Sequence, residues 1–192
     1  MGKNQLLIEN MINSHRRIFM GTIIIMVLAV LATIGIYVTG TGSETLSLGR
    51  LARPVIFSAV FTMVSFILVK KFREREISKY IAVTMVAVNM FFFAITMTGS
   101  PELFATFYFV MVLSLIYVDV FITIYTAVLI MLLHTIIIVV HPEVIPSGNL
   151  GAVLGVRYVC FILFALAGVI ITRVFRGLLL QSIENEEKAK EL

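Results

Sequence analysis

The chain has 192 residues, of which 60% are hydrophobic and 14% charged, and its mean hydropathy is +1.06. Soluble domains carry about 25% charged residues, so this composition excludes a water-covered globule and defines a polytopic helical membrane protein. The net charge of +4 does not point to nucleic acid, because the cations sort by position along the chain.

The first apolar segment, 18–39, follows a polar arm, 1–17. It is too long for a signal peptide, and no small-residue cleavage pattern follows it. A loop rich in Gly, Ser and Thr, "GTGSETLSLGR", closes it. The second segment, 54–69, opens at Arg53-Pro54, where proline suits the first turn of a helix because its missing N–H costs nothing there. It stops at "KKFREREISK", the densest charge cluster, which reads as a topology anchor near anionic lipid. The third segment, 80–97, ends in the turn signal "TGSPE".

Thirty-eight residues follow, from 103 to 140, with Asp119 as their only formal charge. As one helix they would reach about 57 Å at 1.5 Å per residue, against a hydrocarbon core about 30 Å thick. Two spans are predicted instead, 103–117 and 121–140, joined by a tight turn at Tyr117-Val118-Asp119. After "HPEVIPSGN" the sixth segment, 151–172, runs without a strong breaker into "RVFRGLLLQSIENEEKAKEL". Gly177 is its one weak point, at a cost of about 1 kcal/mol in a helix. One helix is therefore predicted from 151 to at least 183.

The predicted fold is an all-α, six-transmembrane-helix bundle with both termini cytoplasmic. It divides into a cytoplasmic N-terminal arm (1–17), a transmembrane domain (18–172) and a cytoplasmic exit helix (173–192). Twelve of the fifteen Lys and Arg residues then share the cytoplasmic side, leaving only Arg50, Arg53 and Arg157 opposite. That asymmetry follows the positive-inside rule and suits a multi-pass protein of a cell inner membrane. Asp119 falls at the interface on a cytoplasmic hairpin, where a solvated carboxylate is worth little, so Asp119→Asn is expected to cost little. The alternative is an acid in a proton or cation path, since intramembrane carboxylates are functional by default.

No catalytic constellation stands out: there is no HExxH, no GxSxG, no phosphate-cradling glycine loop and no acid pair at helical spacing within a span. A single cysteine, Cys160, excludes a disulfide and a cysteine-based metal site. An enzyme, a cofactor and a metal are accordingly not expected. His15 reads as a surface residue beside Arg16 and Arg17, and His134 as hydrogen-bonded to a neighbouring helix. In the outer half, Arg157 lies about two turns into the sixth segment. Arg53 begins the second, Asn89 is midway along the third, and Glu102 and Glu143 flank the outer loops. One reading has Arg157 snorkelling or paired with a Glu. The other gathers Arg157, Arg53, Asn89 and Glu102 into an extracytoplasmic pocket for a small anionic or polar ligand, whose carboxylate would meet the guanidinium fork.

Three stretches carry a family resemblance: the hairpin "SLIYVDVFITIYTAVL" with its acid at the turn, "GVRYVCFILFALAG" in the last span, and the exit helix. Over residues 50–192 the layout resembles the six-span membrane input domain of some bacterial methyl-accepting chemotaxis proteins and related sensors. The resemblance implies a sensory input module, working as a homodimer in contact with membrane lipid, that binds an unknown small molecule. Arg173, Arg176 and Gly177 would lie on the helix that carries the signal, and a cytoplasmic signalling domain, absent from this chain, would be expected to follow. A second layout also fits. Six spans with both ends inside resemble the substrate-binding subunits of energy-coupling-factor vitamin transporters, with Ala29, Ala32 and Gly35 allowing a partner helix to approach. Against it, Trp is absent and few polar residues face the outer side.

Overall fold

The structure, a computed structural model, describes residues 3–39, 48–96, 101–142 and 150–191. The expected loops at 40–47, 97–100 and 143–149, with Glu143, lie outside the described residues. Nearly all of what is described is helical: α1 (Lys3–Thr39), α2 (Leu48–Lys71), α3 (Ile77–Thr96), α4 (Thr106–Ser114), α5 (Val120–Val140) and α6 (Leu150–Glu191). Short 3₁₀ turns, Pro101–Ala105 and Leu115–Tyr117, flank α4. Among the described residues five helices are long and apolar enough to cross a membrane, and the stretch Glu102–Tyr117 is a shorter apolar helix.

Helix α3 forms the centre of the bundle. Ala82, Val83, Met85, Val86, Asn89 and Met90 are all at most 2% exposed, so α3 is covered on more than one face. It packs on α1, α2, α4 and α5, while α6 packs on α5 and α4. Helix α1 is buried along a single stripe of Met11, Ser14, His15, Ile18, Phe19 and Thr22, whose three- and four-residue steps keep one face inward. Beyond Thr22 that helix is mostly exposed. Outward faces of the bundle carry large apolar side chains such as Leu28, Ile56, Phe121 and Leu163. In water such a surface would collapse or aggregate; in lipid it has the right solvent.

Two glycines set how closely helices approach. A Cβ at Gly168 would stand 3.1 Å from the Thr123 methyl and 3.3 Å from a Leu115 methyl, so α6 lies too close to α5 there for a side chain to fit without a shift. Gly21 faces Leu113 at 3.2 Å in the same way.

The observed helices differ from the expected segments at two places. The N-terminal arm is not a separate piece, since α1 runs unbroken from Lys3 through the first apolar segment. Helix α2 starts at Leu48, so Pro54 lies inside it and not in its first turn. Proline there removes one backbone bond, tolerable near a helix end. Helix α6 meets the expectation, passing through Gly177 without a break, and it continues to Glu191.

Candidate functional site at the converging helix ends

The turn after α4 is built from two unusual residues. Val118 adopts a left-handed conformation, φ 52°, and is the one non-glycine residue with positive φ among those described. A β-branched side chain is strained there. Its N–H bonds to the Leu115 carbonyl at 3.0 Å, closing the 3₁₀ turn. Asp119 then takes an extended conformation and caps α5, its Oδ1 accepting from the Phe121 N–H at 2.9 Å. Asp is a preferred N-cap because its carboxylate satisfies one of the amides left open by the first turn.

The other oxygen, Oδ2, accepts from Lys79 Nζ at 2.5 Å. The side chains are only 8% and 16% exposed, so this is a largely buried ion pair. Lys79 also meets Glu76, one turn earlier in the chain. Burial would raise the Asp119 pKa, but the Lys79 ammonium and the amides of Phe121 and Ile122 outweigh it and hold the carboxyl below its ordinary value. Asp119 therefore sits at the expected turn, but it is not the solvated, inexpensive carboxylate of the sequence reading.

Beside this pair runs a buried polar chain. Ser78 Oγ lies 2.6 Å from the Arg75 carbonyl, which can only accept, so the serine proton points there. The contact of Ser78 Oγ with His15 Nε2, at 2.8 Å, then requires Nε2–H to donate. In the neutral imidazole Nδ1 is left as an acceptor, and it receives the Tyr117 O–H at 2.6 Å. Every proton in Tyr117→His15→Ser78→Arg75 runs in one direction. Ser14 adds a weaker link from α1, its hydroxyl shared between the Asn10 carbonyl at 2.8 Å and the Ile116 carbonyl at 3.1 Å. His15, expected at the surface, is 5% exposed because it lies on the buried stripe of α1.

These groups border a cavity of about 330 Å³. Leu7, Ile8, Asn10 and Met11 from the start of α1 line it, as do Glu74, Glu76, Lys79, Asp119 and, from α6, Arg176, Leu179 and Leu180. The N-terminal part of α1, the stretch 176–180 of α6, the α2–α3 connection and the α4–α5 turn thus converge at one end of the bundle. Arg173 and Gly177 lie on the exposed side of α6, and a Cβ at Gly177 would meet nothing within 4 Å. Ile183, farther along, is buried.

The four residues proposed for an outer pocket are not gathered into one. Arg157 is 5% exposed, with its guanidinium 4.5 Å from the Phe104 ring centroid and Glu102 exerting an electrostatic pull. Such a cation–π contact replaces part of the lost solvation. Arg53 is exposed on α2. Asn89 donates to Thr62 Oγ1 at 2.8 Å and borders a different pocket, between α1, α2 and α3, which neither arginine lines. His134 is not bonded to a neighbouring helix. Both its ring nitrogens are buried without a partner among the described residues, and the rings of Phe104, Phe107, Tyr158 and Phe161 surround it.

Sequence reading missed Lys79 and the His15–Tyr117 contact. Lys79 ends a run of charges and looks like part of a solvated anchor, and His15 precedes two arginines. The signal for His15 was the Met11, His15, Ile18, Thr22 spacing, which continues the apolar stripe into the arm. For Lys79 the signal was Asp119 itself, a lone acid in need of a cation.

No family model, curated protein or solved structure matches this chain.

Proposed function

We propose that the chain is a transmembrane sensory input module, set in a bacterial inner membrane with six spans and both termini in the cytoplasm. A cue from the outer side or from within the membrane shifts the bundle, and α6 carries the shift to a cytoplasmic output, in a homodimer. The observation that carries this reading is α6 itself, 42 residues without interruption. At 1.5 Å per residue it reaches about 63 Å, roughly twice the hydrocarbon core. Where it leaves the bundle, Leu179 and Leu180 line one cavity with the start of α1. A shift among the spans therefore has a stiff element to move, and the clasp of Lys79 and Asp119 lies beside the point where that element leaves the bundle. Such a device works only when the cue favours one arrangement over another.

Six spans are supported by the reach of the shortest one. The 3₁₀ turns at both ends of α4 rise about 2.0 Å per residue where an α-helix rises 1.5 Å. Pro101 to Tyr117 therefore extends roughly 30 Å, the thickness of the hydrocarbon core. The convergence of the first part of α1 and residues 176–180 of α6 on one cavity supports an even number of crossings.

The test is a helical, dimeric reporter domain fused behind Leu192. Gly177→Pro should disconnect its basal output, because proline removes a helix bond and clashes with the preceding turn. An output unmoved by Gly177→Pro would overturn the reading. Topology is checked by Ser43→Cys and Ser147→Cys in a Cys160→Ala background, both expected to label from the outer side only. The transporter-subunit reading draws on Ala32 and Gly35, exposed on α1 with open space around Gly35. Vitamin uptake on co-expression with energy-coupling subunits would favour it.

A further inference from the structure

Between α1, α2 and α3, away from the charged cavity, lies a pocket of about 80 Å³. Its walls include Ala29, Pro54, Ser58, Met90 and Phe93, and no charged residue among those described lines it. Polar side chains in its lining are Thr33, Ser58, Thr96 and Asn89, and Asn89 is the one with an unmet polar atom among the described residues. The residue is 2% exposed, and Oδ1 is buried without a partner among the described residues. Thr62 does not serve it, because its hydroxyl proton is directed to Met26 Sδ at 3.7 Å while its oxygen accepts from Asn89 Nδ2. A buried carbonyl left without a donor is costly, which is why such groups are nearly always paired.

We infer that this pocket binds a neutral, lipid-soluble alcohol or phenol, whose hydroxyl donates to Asn89. Three observations fix the class. The absence of a lining charge disfavours an ion, since a buried charge must be paired. The unmet group is an acceptor, and the Ser58 hydroxyl in the same wall adds a second polar contact. A hydroxyl also serves the amide in either orientation, since it both donates and accepts. The third observation is size. The pocket is about half of the 150 Å³ that admits benzene, so only the head of a larger molecule seats in it. Met26, Val30 and Val55 continue from it into an open apolar groove between α1 and α2, about 350 Å³, where a chain or ring can lie. This inference rests on three helices and does not depend on whether α6 carries a signal.

The experiment uses the full chain in phosphatidylcholine liposomes, photolabelled with a diazirine-bearing octanol, with adducts mapped by mass spectrometry. Saturable labelling is expected at residues lining the pocket, competed by octanol and not by octane or octanoate. Asn89→Leu should weaken the apparent affinity about threefold to tenfold, the worth of one net hydrogen bond. Ala29→Phe fills the pocket from α1 with Asn89 intact and should abolish saturable labelling, which decides the matter if the Asn89 variant misfolds. Labelling that never saturates, that octane or octanoate competes equally, or that survives both variants would overturn the assignment.

Discussion

Lys79 and Asp119 show how far a single partner changes the value of a charge. A carboxylate at a solvated turn is worth little, yet here both members are largely buried and joined at 2.5 Å. Removing one member of a buried pair costs about 3–5 kcal/mol, so Lys79→Met should lower stability toward that range. Asp119→Asn should cost less, because Asn still caps a helix and Lys79 keeps Glu76. Reversible unfolding in mixed micelles measures both; equal and negligible losses would show the pair to be incidental. The acid side has a defined sign. Asp119 is held below the ordinary value of 3.8, so its contribution is fully present above that value and is lost as pH falls through the folded pKa. Stability should show no step from this pair between about pH 8 and 5, and the loss on strong acidification should shrink in Asp119→Asn. Val118 offers the opposite case. A left-handed conformation costs an L-residue about 1–2 kcal/mol, so Val118→Gly should be neutral to stabilising by about 1 kcal/mol in the same assay. The position of Asp119 at a turn was legible from the impossible length of a single helix. Its partner was not, because pairing across forty residues leaves no local trace.

At the scale of elements, the crossing of α5 and α6 depends on a missing side chain. Thr123 cannot turn its methyl away from Gly168: its hydroxyl lies 3.1 Å from the Asp119 carbonyl and 3.2 Å from the Thr172 hydroxyl. Gly168→Val should therefore force the helices apart and cost about 1–3 kcal/mol, the usual price of overpacking. Thermal unfolding would reveal it, and a wild-type midpoint would mean that α6 shifts freely on α5. The number and character of the apolar segments were legible because lipid demands long uniform runs. Helix starts were less so. Pro54 suggested a boundary, yet α2 begins at Leu48, because apolar surroundings reward every backbone bond that can be made. The helical arm of α1 was hidden by its polar composition, although its buried stripe keeps the helical period. Helix α6 was the most legible element, for no breaker stronger than Gly177 interrupts it.

For the molecule as a whole, the candidate sites were the least legible part. Arg157, Arg53, Asn89 and Glu102 all read as outer-half residues, but position along a segment does not fix which helix face each occupies, and the bundle leaves Glu102 near Arg157 while Asn89 and Arg53 lie apart from them. The helices also differ greatly in spare length. Helices α1 and α6 have 37 and 42 residues and can tilt or slide without exposing apolar surface to water. The stretch from Pro101 to Tyr117 has no such reserve, since its ends are already in the longer-rise 3₁₀ form and one strained residue separates it from the cap of α5. In the six-span arrangement this makes it a gauge of bilayer thickness. A thicker membrane must either thin around it or strip bonds from its ends, at fractions of a kcal/mol per ångström of mismatch. Stability measured across phosphatidylcholines of increasing chain length should therefore fall once the hydrocarbon exceeds about 30 Å. The loss should appear first as hydrogen exchange at the Val118 turn while the amides of α6 stay protected.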